Sequence, residues 1–285
     1  MRKLSDFALV GTLLAVGGLA SSATAQSVSY VSGTYTQDFD SLAQSGTANA
    51  WSNGTTLNGW YSVFGSSGTN TTRDASTTAS TAYIGDPGTS TTGGLHSYGV
   101  AGVNPVSDRA LGSIASGTQE LAYGVLIQNT TGLTIDSFTV TYDGEQWRNG
   151  GNTTAHSLVV DYTVLNGIPT IADIDAANVA AYTAVPALNF TGPIATATAA
   201  ALDGNYDGTL DGRPNNFVRN ITNTQSGLSI APNQYIYIRW WDNNDAGSDH
   251  GLAIDNFRFS ATTTPTPGAI ALLGVGGLIV MRRRR

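Results

Sequence analysis

Apolar and polar residues alternate with a period of two in several windows of this 285-residue chain. In residues 137–143, Phe138, Val140 and Tyr142 share one face, and polar residues separate them. Residues 158–164 repeat the pattern. Because successive side chains of a strand point to opposite faces, each window predicts a half-buried β-strand.

The window 234–241 differs because it carries large side chains on both faces. Ile236, Ile238 and Trp240 alternate with tyrosines, Arg239 and Trp241. We therefore expect a strand that is central in its sheet or has its outer face covered by a loop.

Further β-rich windows are separated by turn signals. They are residues 28–35, 59–64, 82–85, 110–114, 121–128, 217–222 and 252–260. Residues 171–181 read as a short helix, and residues 66–80 and 89–94 read as looser segments. This spacing predicts an all-β fold, a single antiparallel β-sandwich of jelly-roll type over residues 26–260.

Composition supports strands and restricts the chemistry. Glycine, threonine, serine and asparagine are abundant, whereas the only lysine is Lys3 and the only glutamates are Glu120 and Glu145. Good helix formers are therefore scarce. The chain has no cysteine, which excludes disulfides and cysteine-ligated metals. Without residues 1–25 and 282–285 the body carries 7 basic and 19 acidic side chains, a net charge of −12 that argues against a nucleic-acid partner.

The N-terminus has the pattern of a secretory signal peptide over residues 1–25. Arg2 and Lys3 form a basic region, residues 7–19 are apolar, and Ala23 and Ala25 form a small-residue cleavage site. We therefore expect a signal helix and export of the protein.

The C-terminus combines three elements. A Thr/Pro-rich linker at 261–268 precedes an apolar segment at 269–281, and the chain ends with Arg282, Arg283, Arg284 and Arg285. As a helix the apolar segment is about 20 Å long, which is short for a bilayer core of about 30 Å. The terminal arginines would hold its end on the cytoplasmic side. The alternative is a core strand followed by a basic end.

This tail resembles the PEP-CTERM class of bacterial surface-sorting signals, in which a proline motif, a membrane segment and an arginine cluster are processed by an exosortase. Pro265, Pro267 and Gly268 occupy the motif, which lacks the usual glutamate. The resemblance implies an exosortase partner, membrane anchoring by the tail, and location in the cell envelope, on the cell surface or in the extracellular matrix.

Two acidic segments are candidate calcium sites, because calcium prefers oxygen ligands. The first resembles the start of an EF-hand loop, although Pro214 replaces its final carboxylate. It offers Asp203, Asn205, Asp207 and Asp211. The second offers Asp242, Asp245 and Asp249. In both segments the alternative is that these residues only build turns.

Charged residues within strands have two interpretations. As ion pairs, Arg109 would bind Asp108, Arg148 would bind Glu145, and Arg239 would bind Asp242 or Asp255. As a binding groove, an aromatic face would stack on a sugar ring while charged groups bind its hydroxyls. The candidate groove residues are Glu145, Trp147, Arg148 and Trp241.

The body also resembles an uncharacterised jelly-roll domain of secreted bacterial proteins. The similar segments are 37–40, 57–61, 107–112, 144–148 and 239–256. This resemblance implies a fold and no activity.

Catalytic signatures are weak. The two glutamates are far apart, there is no G-x-S-x-G motif, and the three histidines are scattered. We expect a binding or structural module, with polysaccharide as the first ligand class. A purely structural envelope component is the alternative, and a secreted hydrolase is third.

Overall fold

The computed structural model describes residues 26–65, 77–100, 108–117, 119–175, 179–204 and 215–264. The predicted signal peptide, with Ala23 and Ala25, and the predicted sorting elements from Pro265 to Arg285 lie outside these residues. No helix in the described ranges is long and apolar enough to cross a membrane.

The chain forms two β-sheets in which most neighbouring strands are antiparallel. In spatial order the first sheet contains β12 (Thr183–Ala184), β11 (Ser157–Leu165), β16 (Tyr235–Asp242), β9 (Glu120–Asn129), β4 (Trp60–Gly65) and β5 (Thr77–Ala79). In addition, β1 (Val28–Tyr30) pairs in parallel with β9, and β13 (Phe190–Thr191) pairs with β11.

The second sheet packs against the first. In spatial order it contains β14 (Ala200–Ala201), β10 (Thr134–Asn149), β17 (Gly251–Thr264), β8 (Ala110–Ile114), β7 (Gly94–Tyr98), β6 (Ala82–Asp86) and β3 (Asn49–Ala50). In addition, β15 (Phe217–Ile230) pairs with β10, and β2 (Thr34–Gln37) pairs with β17. The predicted all-β antiparallel sandwich is confirmed.

Helical structure in the described residues is brief. The helix α1 (Ile171–Ile174) begins at a capping box formed by Thr170 and Asp173, and two 3₁₀ turns cover Val179–Ala181 and Pro186–Leu188. The predicted helix at 171–181 is therefore wrong in extent, because the chain leaves helical geometry at Asp175.

The main core lies between the two sheets and is rich in aromatic residues. Trp60 of β4 and Trp240 of β16 stack with 5.9 Å between ring centroids. Phe257 of β17 meets both tryptophans edge-on, at 5.4 and 5.7 Å. All three side chains are fully buried, so this aromatic group joins the two sheets.

The strand β16 is buried on both faces, as its sequence predicts. Ile236, Ile238 and Trp240 face the main core. Tyr237 and Trp241 belong to a second cluster that also contains Ile174 of α1. The strand lies between β11 and β9, and the segment around α1 covers its outer face.

Several boundaries differ from the sequence prediction. The strand β15 continues to Ile230, eight residues past the predicted end, because it pairs with β10 along most of its length. The strand β17 continues to Thr264, so residues 261–264 of the predicted linker are paired with β10. The sandwich therefore extends beyond residue 260.

Candidate functional site

The four predicted groove residues do not form one groove. Trp147 packs with Tyr98 and other residues of the second sheet, whereas Trp241 packs with Tyr237 and Ile174 outside the first sheet. Trp147 is 1 % exposed and Trp241 is 8 % exposed. Neither ring presents an open face to a sugar, because both complete hydrophobic clusters.

Glu145 is bound by groups that sequence reasoning did not assign to it. Trp147 Nε1 donates a 2.9 Å hydrogen bond to Glu145 Oε2, and Arg219 Nη1 lies 3.5 Å from Oε1. The same Arg219 nitrogen lies 3.0 Å from Asp143 Oδ2. The predicted Arg148–Glu145 pair is therefore wrong, and Arg148 Nη1 lies 3.5 Å from the Thr89 carbonyl oxygen.

Asp143, Glu145 and Asp255 form a carboxyl cluster on the second sheet. Asp143 of β10 is directly opposite Asp255 of β17, and Glu145 follows two residues along β10. Burial raises the pKa of Glu145 to about 8, against the lowering effect of Arg219. Burial, reinforced by Glu145, raises the pKa of Asp255 to about 9. Burial therefore favours the protonated forms of Glu145 and Asp255.

The other two arginines of the predicted ion pairs also bind groups other than the predicted ones. The Arg109 guanidinium donates to Ser97 and to the Gly99 carbonyl oxygen. Arg239 binds Asp161 in place of Asp242 or Asp255, because Asp161 is its register partner on β11.

The first predicted calcium loop is only partly described. Asp203 is buried, and its carbonyl oxygen accepts a 3.0 Å hydrogen bond from the Asn216 amide. Asn205, Asp207 and Asp211 lie outside the described residues.

The second predicted calcium set separates into two places. Asp242 is 2 % exposed, and its Oδ2 accepts a 2.6 Å hydrogen bond from Ser113 Oγ of the other sheet. Burial raises the pKa of Asp242 well above its usual value. Asp245 and Asp249 instead meet His156, so Asp242 does not join them.

His156, Asp245 and Asp249 form a histidine–aspartate cluster at one end of the sandwich. His156 Nδ1 lies 3.7 Å from Asp245 Oδ2 and 3.5 Å from Asp249 Oδ1. His156 directly precedes β11, and the aspartates lie in the loop between β16 and β17. The His156 and Asp249 side chains are only 2 % and 4 % exposed, whereas that of Asp245 is 30 % exposed.

Hydrogen bonds between two loops hold the cluster in place. Asn152 Nδ2 donates to the Ala246 carbonyl oxygen at 2.8 Å, and the Gly150 amide donates to His250 Nδ1 at 2.9 Å. Glycine is required at 150, because a Cβ there would lie 2.2 Å from the Asp249 carbonyl oxygen. Within the acidic loop, the Asp245 amide donates to Asp249 Oδ1 at 3.0 Å.

Burial sets the protonation of these groups. It lowers the pKa of His156 and, together with His156, lowers the pKa of His250 to about 4. It raises the pKa of Asp249 to about 7, with Asp245 adding to the effect. The His250 ring stacks on His156 with 4.3 Å between centroids.

A polar cleft of about 200 Å³, here called the end cleft, adjoins the cluster. Its lining includes Thr91, Ser116, Arg148, Gly150, Ser248 and Asp249. It therefore places a guanidinium and three hydroxyl groups around one concave space, whereas the Asp249 side chain is only 4 % exposed. Arg148 is the one member of the predicted groove that lines it.

A second cleft of about 220 Å³ lies beside β6 and β7. Its described lining includes Phe64, Tyr83, Leu95 and Gln119 and contains no charged side chain. It offers less for polar recognition than the end cleft does.

Sequence reasoning missed His156 and Arg219. His156 lies about ninety residues from its aspartates, and only the pairing of β11 with β16 brings them together. The carboxyl cluster that Arg219 contacts did have a signal in the sequence. Asp143, Glu145 and Trp147 have the spacing of residues on one face of a strand.

No protein-family model and no curated protein matches this sequence. Among solved structures, a carbohydrate-binding module in complex with β-1,4-galactotriose is similar at 8 % identity and a TM-score of 0.27, over 54 % of this chain and 72 % of that one. The mosquito-larvicidal Cry4Aa toxin from Bacillus thuringiensis is similar at 14 % identity and a TM-score of 0.24, over 56 % of this chain and 23 % of that one. Both TM-scores are too low to support an argument about function.

Proposed function

We propose that this protein is an exported β-sandwich of the cell surface or extracellular matrix that binds polysaccharide in its end cleft. The observation that supports the proposal is the lining of this cleft by Arg148 and by the hydroxyl-bearing Thr91, Ser116 and Ser248. Guanidinium and hydroxyl groups match the donors and acceptors of sugar hydroxyls.

The size of the cleft limits the ligand. Its volume of about 200 Å³ is below the range of roughly 300–1,000 Å³ that is usual for drug-sized ligands. We therefore propose recognition of a single sugar ring, such as the end or a branch of a polysaccharide, rather than enclosure of a long chain. This proposal replaces the tryptophan groove, because Trp147 and Trp241 are buried.

A glycan array probed with the full chain tests this function. The wild type should bind at least one polysaccharide, and Arg148→Ala should weaken that binding at least tenfold. Arg258→Ala is the matched control, because Arg258 is an exposed arginine outside the cleft lining. An empty array, or equal binding by wild type and Arg148→Ala, would contradict the proposal.

A purely structural envelope component is the second candidate. It is favoured by paired hydroxyls on the outer surface of the second sheet, where Thr139 and Thr224, and also Thr141 and Thr222, lie 2.7 Å apart. Such pairs join adjacent strands in a protein without disulfides. An empty array together with retention at the cell surface would support this candidate.

Export and anchoring form a separate part of the proposal and rest on the two ends of the sequence. Deletion of residues 265–285 should move the protein from the cell envelope into the medium. Deletion of residues 1–25 should leave it in the cytoplasm. Unchanged fractionation of both truncated forms would contradict export and anchoring by these segments. The proposed exosortase partner predicts loss of the tail from the mature chain, which the mass of the protein recovered from the surface can test.

A further inference from the structure

We infer that the histidine–aspartate cluster is a binding site for a divalent transition metal of the zinc class, with His156, Asp245 and Asp249 as its protein ligands. This inference concerns a different ligand from the polysaccharide and does not depend on it. The proposed site also differs from the predicted calcium site, because its ligands include an imidazole nitrogen and do not include Asp242.

The distances suit such an ion. Zinc bonds of about 2.0–2.2 Å in a tetrahedral arrangement separate neighbouring ligand atoms by about 3.4 Å. His156 Nδ1 lies 3.5 Å from Asp249 Oδ1 and 3.7 Å from Asp245 Oδ2. The three ligand atoms all lie within 4.8 Å of one another, so side-chain movements of about 1 Å would place them around one metal.

The donor chemistry favours zinc over calcium. Calcium takes six to eight oxygen ligands, whereas imidazole nitrogen together with carboxylate oxygen is a common ligand set for zinc. His156 supplies the nitrogen, and Asp245 and Asp249 supply the oxygens. Three protein ligands would leave a fourth position for water.

The cluster also lacks a compensating positive charge. Among the described residues, His156 is the one basic side chain within ion-pair distance of Asp245 and Asp249. Two carboxylates that share one imidazole, one of them almost fully buried, are costly to maintain without a cation. A divalent ion would balance both carboxylates.

Two neighbouring groups hold His156 in position. His250 is 1 % exposed, and its ring stacks on that of His156 with 4.3 Å between centroids. Asn152 Nδ2 lies 3.0 Å from His156 Nε2 and donates to the Ala246 carbonyl oxygen, so Asn152 joins the His156 ring to the loop that carries Asp245 and Asp249.

One existing contact would be replaced. The His250 backbone amide lies 3.2 Å from His156 Nδ1, a hydrogen bond longer than the usual 2.9–3.0 Å. The metal would bind the Nδ1 lone pair that now accepts this hydrogen bond. Release of a long hydrogen bond is a small cost beside three metal bonds.

The test is titration of the metal-free full chain with Zn²⁺ and, separately, with Ca²⁺ and Co²⁺. We expect one Zn²⁺ per chain, at least tenfold tighter than Ca²⁺, and visible absorption from Co²⁺ in a site of low coordination number. His156→Asn and Asp249→Asn should each weaken Zn²⁺ binding at least tenfold. Asp38→Asn, at an exposed aspartate outside the cluster, is the control and should bind as the wild type does.

A third variant distinguishes loss of a metal ligand from loss of the fold. Asp245 is the most exposed ligand, so Asp245→Asn should fold normally by circular dichroism and still weaken Zn²⁺ binding. Absence of stoichiometric Zn²⁺ binding, unchanged binding in Asp245→Asn, or tighter binding of Ca²⁺ than of Zn²⁺ would each overturn the inference.

Discussion

Arg239 and Asp161 lie directly opposite each other on β16 and β11, and Arg239 Nε donates a 2.7 Å hydrogen bond to Asp161 Oδ1. The guanidinium also lies 3.4 Å from the centre of the Tyr182 ring and donates to the Ile174 and Asp175 carbonyl oxygens. Arg239 is fully buried. This one side chain therefore holds the segment around α1 against the outer face of the first sheet.

Arg239→Ala should lower the free energy of unfolding by about 3–5 kcal/mol, because it removes the guanidinium that binds the buried Asp161 carboxylate and the α1 segment. Denaturant unfolding measures the loss. Arg258→Ala removes an exposed arginine and should change stability by no more than about 0.5 kcal/mol. A loss below about 1 kcal/mol for Arg239→Ala would contradict the role given to the pair.

Phe257→Ala should destabilise the protein by about 3–5 kcal/mol, because it opens a cavity beside Trp60 and Trp240. Val31→Ala is the control, since Val31 is 64 % exposed. Tryptophan fluorescence should report changed packing in the first variant only. Equal stability of the two variants would show that the aromatic group does not join the sheets.

Gly144→Ala should destabilise the second sheet, because a Cβ at 144 would lie 2.3 Å from the Phe190 ring. Overpacking of this kind costs about 1–3 kcal/mol. Gly117→Ala places a methyl group in open space and should be nearly neutral in thermal unfolding. If both variants have the melting temperature of the wild type, the Phe190 ring is not packed as closely against position 144 as described.

Stability should fall as pH rises from about 7 to 9, above the range in which the lowered pKa values of His156 and His250 oppose this trend. Glu145 and Asp255 have folded-state pKa values of about 8 and about 9, above their usual values of roughly 4 in an unfolded chain. The folded protein therefore keeps protons that the unfolded chain has already released, and each rise in pH favours unfolding. The contribution is complete below about pH 4 and is lost as pH rises through the folded-state values.

The measurement is the melting temperature at several pH values. We expect the wild type to lose about 4–8 °C between pH 7 and pH 9, which corresponds to about 2 kcal/mol for a chain of this size. The double variant Glu145→Gln and Asp255→Asn mimics the protonated forms and should show a smaller loss. An equally steep loss in the double variant would assign the pH dependence to other groups.

The sequence allowed prediction of the strands better than of the site. The alternation in 137–143 and the two apolar faces of 234–241 depend only on local spacing, so β10 and β16 could be located without knowledge of their neighbours. The partner of Arg239 could not be predicted in this way, because Asp161 becomes its neighbour only through the register of β11 against β16.

The candidate site shows the same limit. Asp245 and Asp249 share a short loop and could be named from sequence, whereas His156 joins them only through the fold. Trp147 was expected at a surface groove, yet it closes a cluster with Tyr98, since an aromatic residue in a strand suits a core as well as a sugar. Strand spacing alone does not distinguish these environments.

The location of the binding site is the central claim, and hydrogen exchange with a bound glycan tests it most directly. Full chain saturated with a glycan identified on the array should show slower amide exchange at 115–117, 148–150 and 247–249, the segments that line the end cleft. Amides of the exposed strand β15 should be unaffected. Protection confined to β15, or unchanged exchange at the end cleft, would contradict the account.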